Sequence, residues 1–167
     1  MELGMSIISH ARGFTIIELV ITVAIVALLA SIALPLAEVA VQRGKEQELR
    51  GALRQVREAL DAYKQTVEEG RILRKAGASG FPKSLQVLIE GVADAKNLDG
   101  GKIYFLRRIP RDPFFIDSTV PAEQTWGLRS YASPPDDPRE GEDVFDVYSL
   151  APGAGLNGVT YRDFHAI

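Results

Sequence analysis

The chain has 167 residues, a length that suits one modest domain built on one core. Its 19 Lys and Arg against 22 Asp and Glu leave a formal net charge of −3, which is the balance of neither a nucleic-acid binder nor a disordered tail, so no nucleic-acid partner is expected. With 0 Cys and 2 His, the sequence excludes disulfide frameworks, cysteine-rich zinc sites, thiol nucleophiles and three-histidine sites.

The mean hydropathy of +0.02 is that of an ordinary soluble protein, yet the apolar residues are concentrated between Phe14 and Ala37, where Glu18 is the sole charge. At 1.5 Å per residue, a helix of about 20 residues crosses a hydrocarbon core of about 30 Å, so this stretch reads as a membrane span in a lipid bilayer. A cleaved secretory signal would have a shorter apolar core, about 7–15 residues, and no carboxylate near its start. A buried core helix would need more chain around it than remains. Counting flanking cations sets Arg12 before the span against Arg43, Lys45 and Arg50 after it, which by itself places the C-terminal side in the cytoplasm; large domains are translocated regardless of such charge. Glu18 costs about 2.5–3.5 kcal/mol in a membrane helix, so it needs a partner; with no Lys, Arg or His between Phe14 and Ala37, that partner comes from another chain, from lipid headgroups or from the chain's own terminus, the alternative being a carboxylate that snorkels at headgroup depth four residues from Phe14. Pro35 removes an amide donor and crowds the Ser31 carbonyl, which predicts a kink or local opening of the helix.

A short polar leader ending Ala11-Arg12-Gly13, the run Phe14-Thr15-Ile16-Ile17-Glu18-Leu19 and an apolar span holding Pro35 together resemble the type IV pilin and type II secretion pseudopilin superfamily. The resemblance covers roughly the first 25 residues closely. It implies a leader of residues 1–13, cut between Gly13 and Phe14 at the cytoplasmic face by a prepilin peptidase that also N-methylates Phe14. The C-terminal domain would then face the periplasm, against the cation count. Cleavage turns the Phe14 amide into a cation. A pair between that amine and Glu18 at ~4 Å, with an effective dielectric near 20, gains about 4 kcal/mol, comparable with the insertion cost. The expectation is that Glu18 of an incoming subunit pairs with the Phe14 amine of a neighbour, so that proteolysis enables assembly.

Beyond the span, Leu49, Leu53, Val56, Leu60, Tyr63 and Val67 recur at steps of four and three, predicting an amphipathic helix with one inward stripe that runs to about Gly70. Arg54/Glu58 and Arg57/Asp61 stand at i, i+4 and read as pairs on a solvated face. The breaker Gly77-Ala78-Ser79-Gly80-Phe81-Pro82 precedes a short helical piece around Leu85–Ile89. Strands are predicted at Ile103–Leu106, Leu128–Ala132 and Val144–Ser149, forming a small antiparallel sheet packed on the stripe. Turns are signalled at Pro110–Pro113, Ser133–Pro138 and the glycine-rich Pro152–Gly158. The expected class is α+β: residues 14–37 as the transmembrane and assembly helix, 38–75 as an amphipathic helix, and 76–167 as a periplasmic β-sheet region.

Phe81-Pro82 with Ser84-Leu85, the stretch Ile109-Pro110-Arg111-Asp112-Pro113-Phe114, Trp126-Gly127, and Asp146-Val147-Tyr148-Ser149 before a glycine-rich loop resemble the major pseudopilin of type II secretion in the order of their features. The lack of cysteine agrees with that subfamily. The resemblance implies a homo-oligomeric filament in an inner-membrane and periplasmic setting, working with a prepilin peptidase, an inner-membrane secretion assembly platform and minor pseudopilins. A type IV pilus subunit, major or minor, is the alternative, and a membrane-anchored enzyme or binding domain the remote one. The family often holds calcium at its C-terminal loop with several acids, whereas the loop after Tyr148 offers Ser149, Asn157, Thr160 and only Asp163. Calcium takes about six to eight oxygens, so no metal and no cofactor is assigned, and both a reduced calcium site and a loop held by hydrogen bonds stay open.

An enzyme would need a nucleophile with a base, a carboxylate pair or a metal. His10 falls in the leader and His165 at the C-terminus, and neither reads as a base. Asp143 and Asp146 lack a pocket signature, the run Asp136, Asp137, Glu140, Glu142, Asp143 reads as a solvated loop, and Gly153, Gly155 and Gly158 do not follow a strand and open a helix as a phosphate loop does. No catalytic residue is assigned, and the chain reads as a structural protein.

Overall fold

The computed structural model describes residues 13–97 and 99–164. The leader up to Arg12, with His10, and the C-terminal His165 lie outside the described residues. The dominant element is helix α1 (Ile16–Glu68), and the chain divides into two units, Met1–Val41 and Gln42–Ile167.

In the first unit α1 begins because Thr15 caps it. The Glu18 amide donates to Thr15 Oγ1 at 3.2 Å, satisfying a donor that a helix start leaves orphaned, and the Leu19 amide makes the first helical bond, to the Thr15 carbonyl, at 3.1 Å. Ile17, Leu19, Val20, Val23, Val26 and Leu29 are all exposed, and the most apolar 18 residues have a mean hydropathy of 2.7 with none buried. The helix carries Pro35 inside it and continues as helix on both sides.

In the second unit the same helix becomes amphipathic. Leu49, Leu53, Val56, Leu60 and Val67 are buried, as the spacing predicts, and Tyr63 is half-buried. Ala52 and Ala59 widen the stripe and bring other elements close. The helix stops at Glu68, short of residue 75, because Gly70 takes φ +70°. The Gly70 amide then donates to the Val67 carbonyl and the Arg71 amide to that of Thr66, which closes the last turn in a Schellman motif.

The expected helical piece is α2 (Gln86–Glu90). The β structure is antiparallel, as anticipated, but divided into two ribbons of two strands. In the first, β1 (Val92–Ala93) pairs with β2 (Lys102–Ile103), Val92 opposite Ile103. Only Ile103 of the predicted strand Ile103–Leu106 is extended within a ladder, because the amides of Phe105 and Leu106 both turn to the carbonyl of Leu88, in the middle of α2. In the second ribbon β3 (Trp126–Arg129) pairs with β4 (Asp146–Ser149), Gly127 opposite Tyr148. Strand β3 starts two residues earlier than the alternation suggests, and Ser130 leaves it to bond the Arg139 carbonyl. Strand β4 starts later, since the Val144 amide is taken by Pro82. Gly127 is required in this ribbon: a β-carbon there would lie 2.2 Å from the Tyr148 ring.

Leu49, Leu53, Val56 and Leu60 meet Leu85 and Leu88 of the α2 region, Trp126 and Val147 of the second ribbon, and Tyr161 and Phe164 from the C-terminal end in one core. The expected Arg57/Asp61 pair gives way to a tertiary one. Arg57 donates through Nε to Asp146 Oδ1 at 2.6 Å and through Nη2 to the Val147 carbonyl at 3.2 Å. A partly buried, multiply bonded guanidinium outweighs a pair on a solvated helix face. The i, i+4 pairs that do form are Glu46 with Arg50 and Lys64 with Glu68.

Candidate functional site: the capped apolar helix and the outer unit

Gly13, Phe14 and Thr15 precede α1 as exposed, non-helical backbone, so the Gly13–Phe14 peptide lies two residues ahead of the helix. Phe14 is exposed. Glu18 stands in the first turn, where the positive end of the helix dipole favours a carboxylate. Thr15 and Glu18 are thus linked by a Thr-x-x-Glu capping pattern that the sequence displays but that the pilin-like reading of the junction passed over. Thr22 donates through its hydroxyl to the Glu18 carbonyl at 2.7 Å, and Ser31 to that of Leu28, so these two hydroxyls are satisfied by their own helix. No Lys, Arg or His between Phe14 and Ala37 stands beside the Glu18 carboxylate.

The second unit, Gln42–Ile167, joins features that are dispersed in the sequence. Asp112 is buried; its Oδ2 accepts from Ser149 Oγ at 2.6 Å and its Oδ1 from the Phe114 amide at 2.8 Å. Its own amide donates to buried Thr125 Oγ1, and Trp126 Nε1 donates to the Pro110 carbonyl at 2.8 Å. The Ile109–Phe114 stretch, Trp126-Gly127 and Asp146–Ser149 are therefore parts of a single polar knot inside the core. Its purpose is to hold β4 and the glycine-rich loop after it.

That loop is tied to α1 from the other side. Glu46 is 4% exposed, and its Oε1 accepts the Leu156 amide at 2.8 Å. Gln42 Nε2 donates to the Tyr161 hydroxyl at 3.1 Å, Phe114 stacks on Tyr161 with ring centroids 4.1 Å apart, and Arg50 lies over the Phe164 ring. Gly155 is packed tightly: a β-carbon would stand 2.6 Å from Phe164. Glu46 was missed by sequence reasoning because a glutamate between Lys45 and Gln47 has no local mark of burial.

The four side chains considered for calcium are bonded otherwise. Ser149 serves Asp112, Asn157 Oδ1 accepts the Val159 amide, and Thr160 donates to Asp163 Oδ2 at 2.6 Å. With one carboxylate among them, this donor set does not fit the six to eight oxygens of a calcium cage. Among the described residues there is no group of three His, Cys, Asp or Glu placed to share a metal.

Asp143 and Asp146 are separately occupied. Asp143 accepts from Ser130 Oγ at 2.6 Å and from the Tyr131 amide at 2.9 Å, while Asp146 holds Arg57. Burial pushes the Asp143 carboxyl up, but the hydrogen bonds from Ser130, Ser79 and the Tyr131 amide prevail and hold it below the ordinary value. Asp136, Asp137, Glu140 and Glu142 are exposed, as a solvated loop requires; Asp143 departs from the rest of the run by being half-buried. A groove of about 400 Å³ lies along Glu48, Ala52, Gln55, Arg108, Ile109, Pro110 and Arg111. It brings together one carboxylate and two guanidiniums and has no nucleophile beside a base.

Residues 8–34 match the family model of the prokaryotic N-terminal methylation motif. No curated protein and no solved structure matches the chain. The matched stretch contains the Gly13–Phe14 junction, the Thr15 cap, Glu18 and most of the exposed apolar segment. An exposed apolar helix of this length is consistent with membrane anchoring. Over residues 8–34 the chain therefore carries the prokaryotic N-terminal methylation motif, the leader of a type IV pilin-like or pseudopilin-like substrate of prepilin peptidase.

Proposed function

We propose that the chain is a structural subunit of a type II secretion pseudopilus. Made as an inner-membrane precursor, it loses residues 1–13, is methylated on Phe14 and polymerises through residues 14–37 into a short periplasmic fibre that supports protein export across the outer membrane. The observation that carries this reading is the methylation motif in register with a capped apolar helix whose lone carboxylate has no partner in its own segment. Glu18 takes the Phe14 amine of a neighbouring subunit, which exists as a cation only after cleavage. Pro35 serves as the bend point of the assembly helix. The C-terminal domain faces the periplasm, and the partners are other copies of the chain, the prepilin peptidase, the assembly platform, minor pseudopilins and the lipid bilayer. Preference for a pseudopilus over a pilus rests on the outer unit, where the features that resemble the major pseudopilin meet around Asp112.

Intact mass of the membrane-extracted protein tests the reading. The expected mass lacks residues 1–13 and gains one methyl group; an intact leader in polymerised, functional material overturns it. Deleting the gene is then expected to stop export of secreted proteins while long surface fibres persist. Loss of the fibres with export unchanged assigns the chain to a type IV pilus instead.

A further inference from the structure

From Leu150 to Tyr161 the chain has no charged side chain, in a protein where a quarter of the residues are charged. This loop leaves Leu150, Leu156 and Val159 exposed at 48%, 45% and 40%. It is preformed. The Gly155 amide donates to the Val159 carbonyl at 2.8 Å, the Gly158 amide to that of Gly155 at 2.9 Å and the Tyr161 amide to that of Gly153, with Ala154 and Thr160 bridged. Gly153 and Gly158 take φ +104° and +79°, a backbone that L side chains rarely adopt. The loop thus satisfies much of its own backbone while holding aliphatic side chains away from the core.

The loop's position is set by α1. Glu46 and Gln42 hold Leu156 and Tyr161, and Gln42 follows Ala37, the end of the apolar run, by five residues. Five residues reach at most about 18 Å even when fully extended. The headgroup layer of one leaflet adds about 5–8 Å beyond the hydrocarbon core. Gln42, which anchors the loop to α1, therefore lies within about 18 Å of the end of the apolar run. An interfacial segment needs apolar side chains, few carboxylates and internally bonded backbone. All three are present.

The geometry points to the Leu150–Val159 loop as a second membrane contact, resting its aliphatic side chains in the headgroup region of the leaflet that the helix leaves. This rests on the reading of residues 14–37 as a membrane span. The occupant is lipid because the bilayer already surrounds the adjoining segment, so the contact continues an interface that the span requires.

The absence of cysteine permits single labels on the full-length chain. Leu156→Cys, Val159→Cys and Leu150→Cys would each carry an environment-sensitive fluorophore. Leu73→Cys, at a site 84% exposed beyond the end of α1, serves as the aqueous control, and Ile25→Cys reports the span. The proteins are reconstituted in vesicles of phosphatidylethanolamine and phosphatidylglycerol, with or without lipids bearing a doxyl quencher near the headgroup or deep in the chain. Headgroup-level doxyl is expected to quench positions 156 and 159 by about twofold more than position 73, since interfacial segments sit ~5–10 Å into the boundary. Position 150 supplies the same reading if labelling at 156 unfolds the unit. Loop labels as aqueous as position 73, with position 25 quenched by deep doxyl, overturn the contact and spare the span. An unquenched position 25 overturns the span and the contact with it. A blue shift that ignores doxyl and grows with protein density assigns the loop to a second copy and also overturns the proposal.

Discussion

One helix meets two different demands. From Ile16 to Ser31 its side chains are mostly apolar and all exposed; beyond Gln42, apolar residues occupy a stripe that the same chain buries. Uniform apolarity signals that the partner lies outside the chain, whereas a stripe signals one supplied within it. A methyl group removed from the first part is felt by assembly, and one removed from the second by folding.

Replacing Leu53 by Ala gives the sharpest contrast. Leu53 is fully buried, so truncation is expected to destabilise the outer unit by about 2–5 kcal/mol. Val23→Ala, on the exposed apolar face, is expected to leave that unfolding transition where it was. Denaturant titration of both variants in detergent checks the pair. If Val23→Ala unfolds the outer unit as readily as Leu53→Ala, the division fails.

Glu18→Gln asks the same question of the first part. If Glu18 pairs with a neighbour's Phe14 amine as proposed, the change removes a charge pair of about 4 kcal/mol while keeping the size and polarity of the side chain. Filament yield is expected to collapse with the stability of the outer unit unchanged. Normal filaments from the Gln variant refute the pairing.

Arg57→Ala probes the preference for tertiary over local pairing. It leaves the partly buried Asp146 without its cation and is expected to destabilise by about 1–3 kcal/mol, whereas Asp61→Ala is expected to change stability by less than about 0.5 kcal/mol. Thermal melts of the two variants separate these outcomes.

Acid has the smallest effect. Asp94 is held below the ordinary value of 3.8 chiefly by its hydrogen bond from Arg71, and Asp117 by that from Thr119; Asp143 is lowered by the balance described above. A lowered folded value means that the unfolded chain takes up protons first as pH falls. Their contribution is therefore complete above about pH 4 and fades as the pH drops through the lowered values. Melting temperatures of the outer unit, stepped from neutral pH downward, should hold steady to that point with respect to these groups and then decline.

Much of this was legible in the residues. The stripe from Leu49 to Val67 follows from spacing alone, because a helix imposes its period whatever packs on it. The ribbon β3/β4 was recognisable, yet its ends were misjudged. Trp126 and Gly127 join the ladder through pairing with Ser149 and Tyr148, which alternation within one segment does not reveal. The two-residue strands β1 and β2 are too short for any periodicity. Arg57 looked like half of a local pair because only i, i+4 neighbours are visible before Asp146 is brought to it across 89 positions. Asp112 stood inside a turn motif and emerged as a buried acceptor; Glu46 looked like one more exposed helix charge.

The sequence by itself determined the N-terminal methylation motif, the apolar segment with its lone carboxylate and the inward stripe, because each is a property of neighbours along one helix or one short motif. Only the tertiary structure decided where the dispersed polar residues go. Asp112, Ser149, Glu46 and Arg57 take their roles from partners far away in the chain. The distance and burial that turn two such side chains into a bond exist only once the core has closed around them.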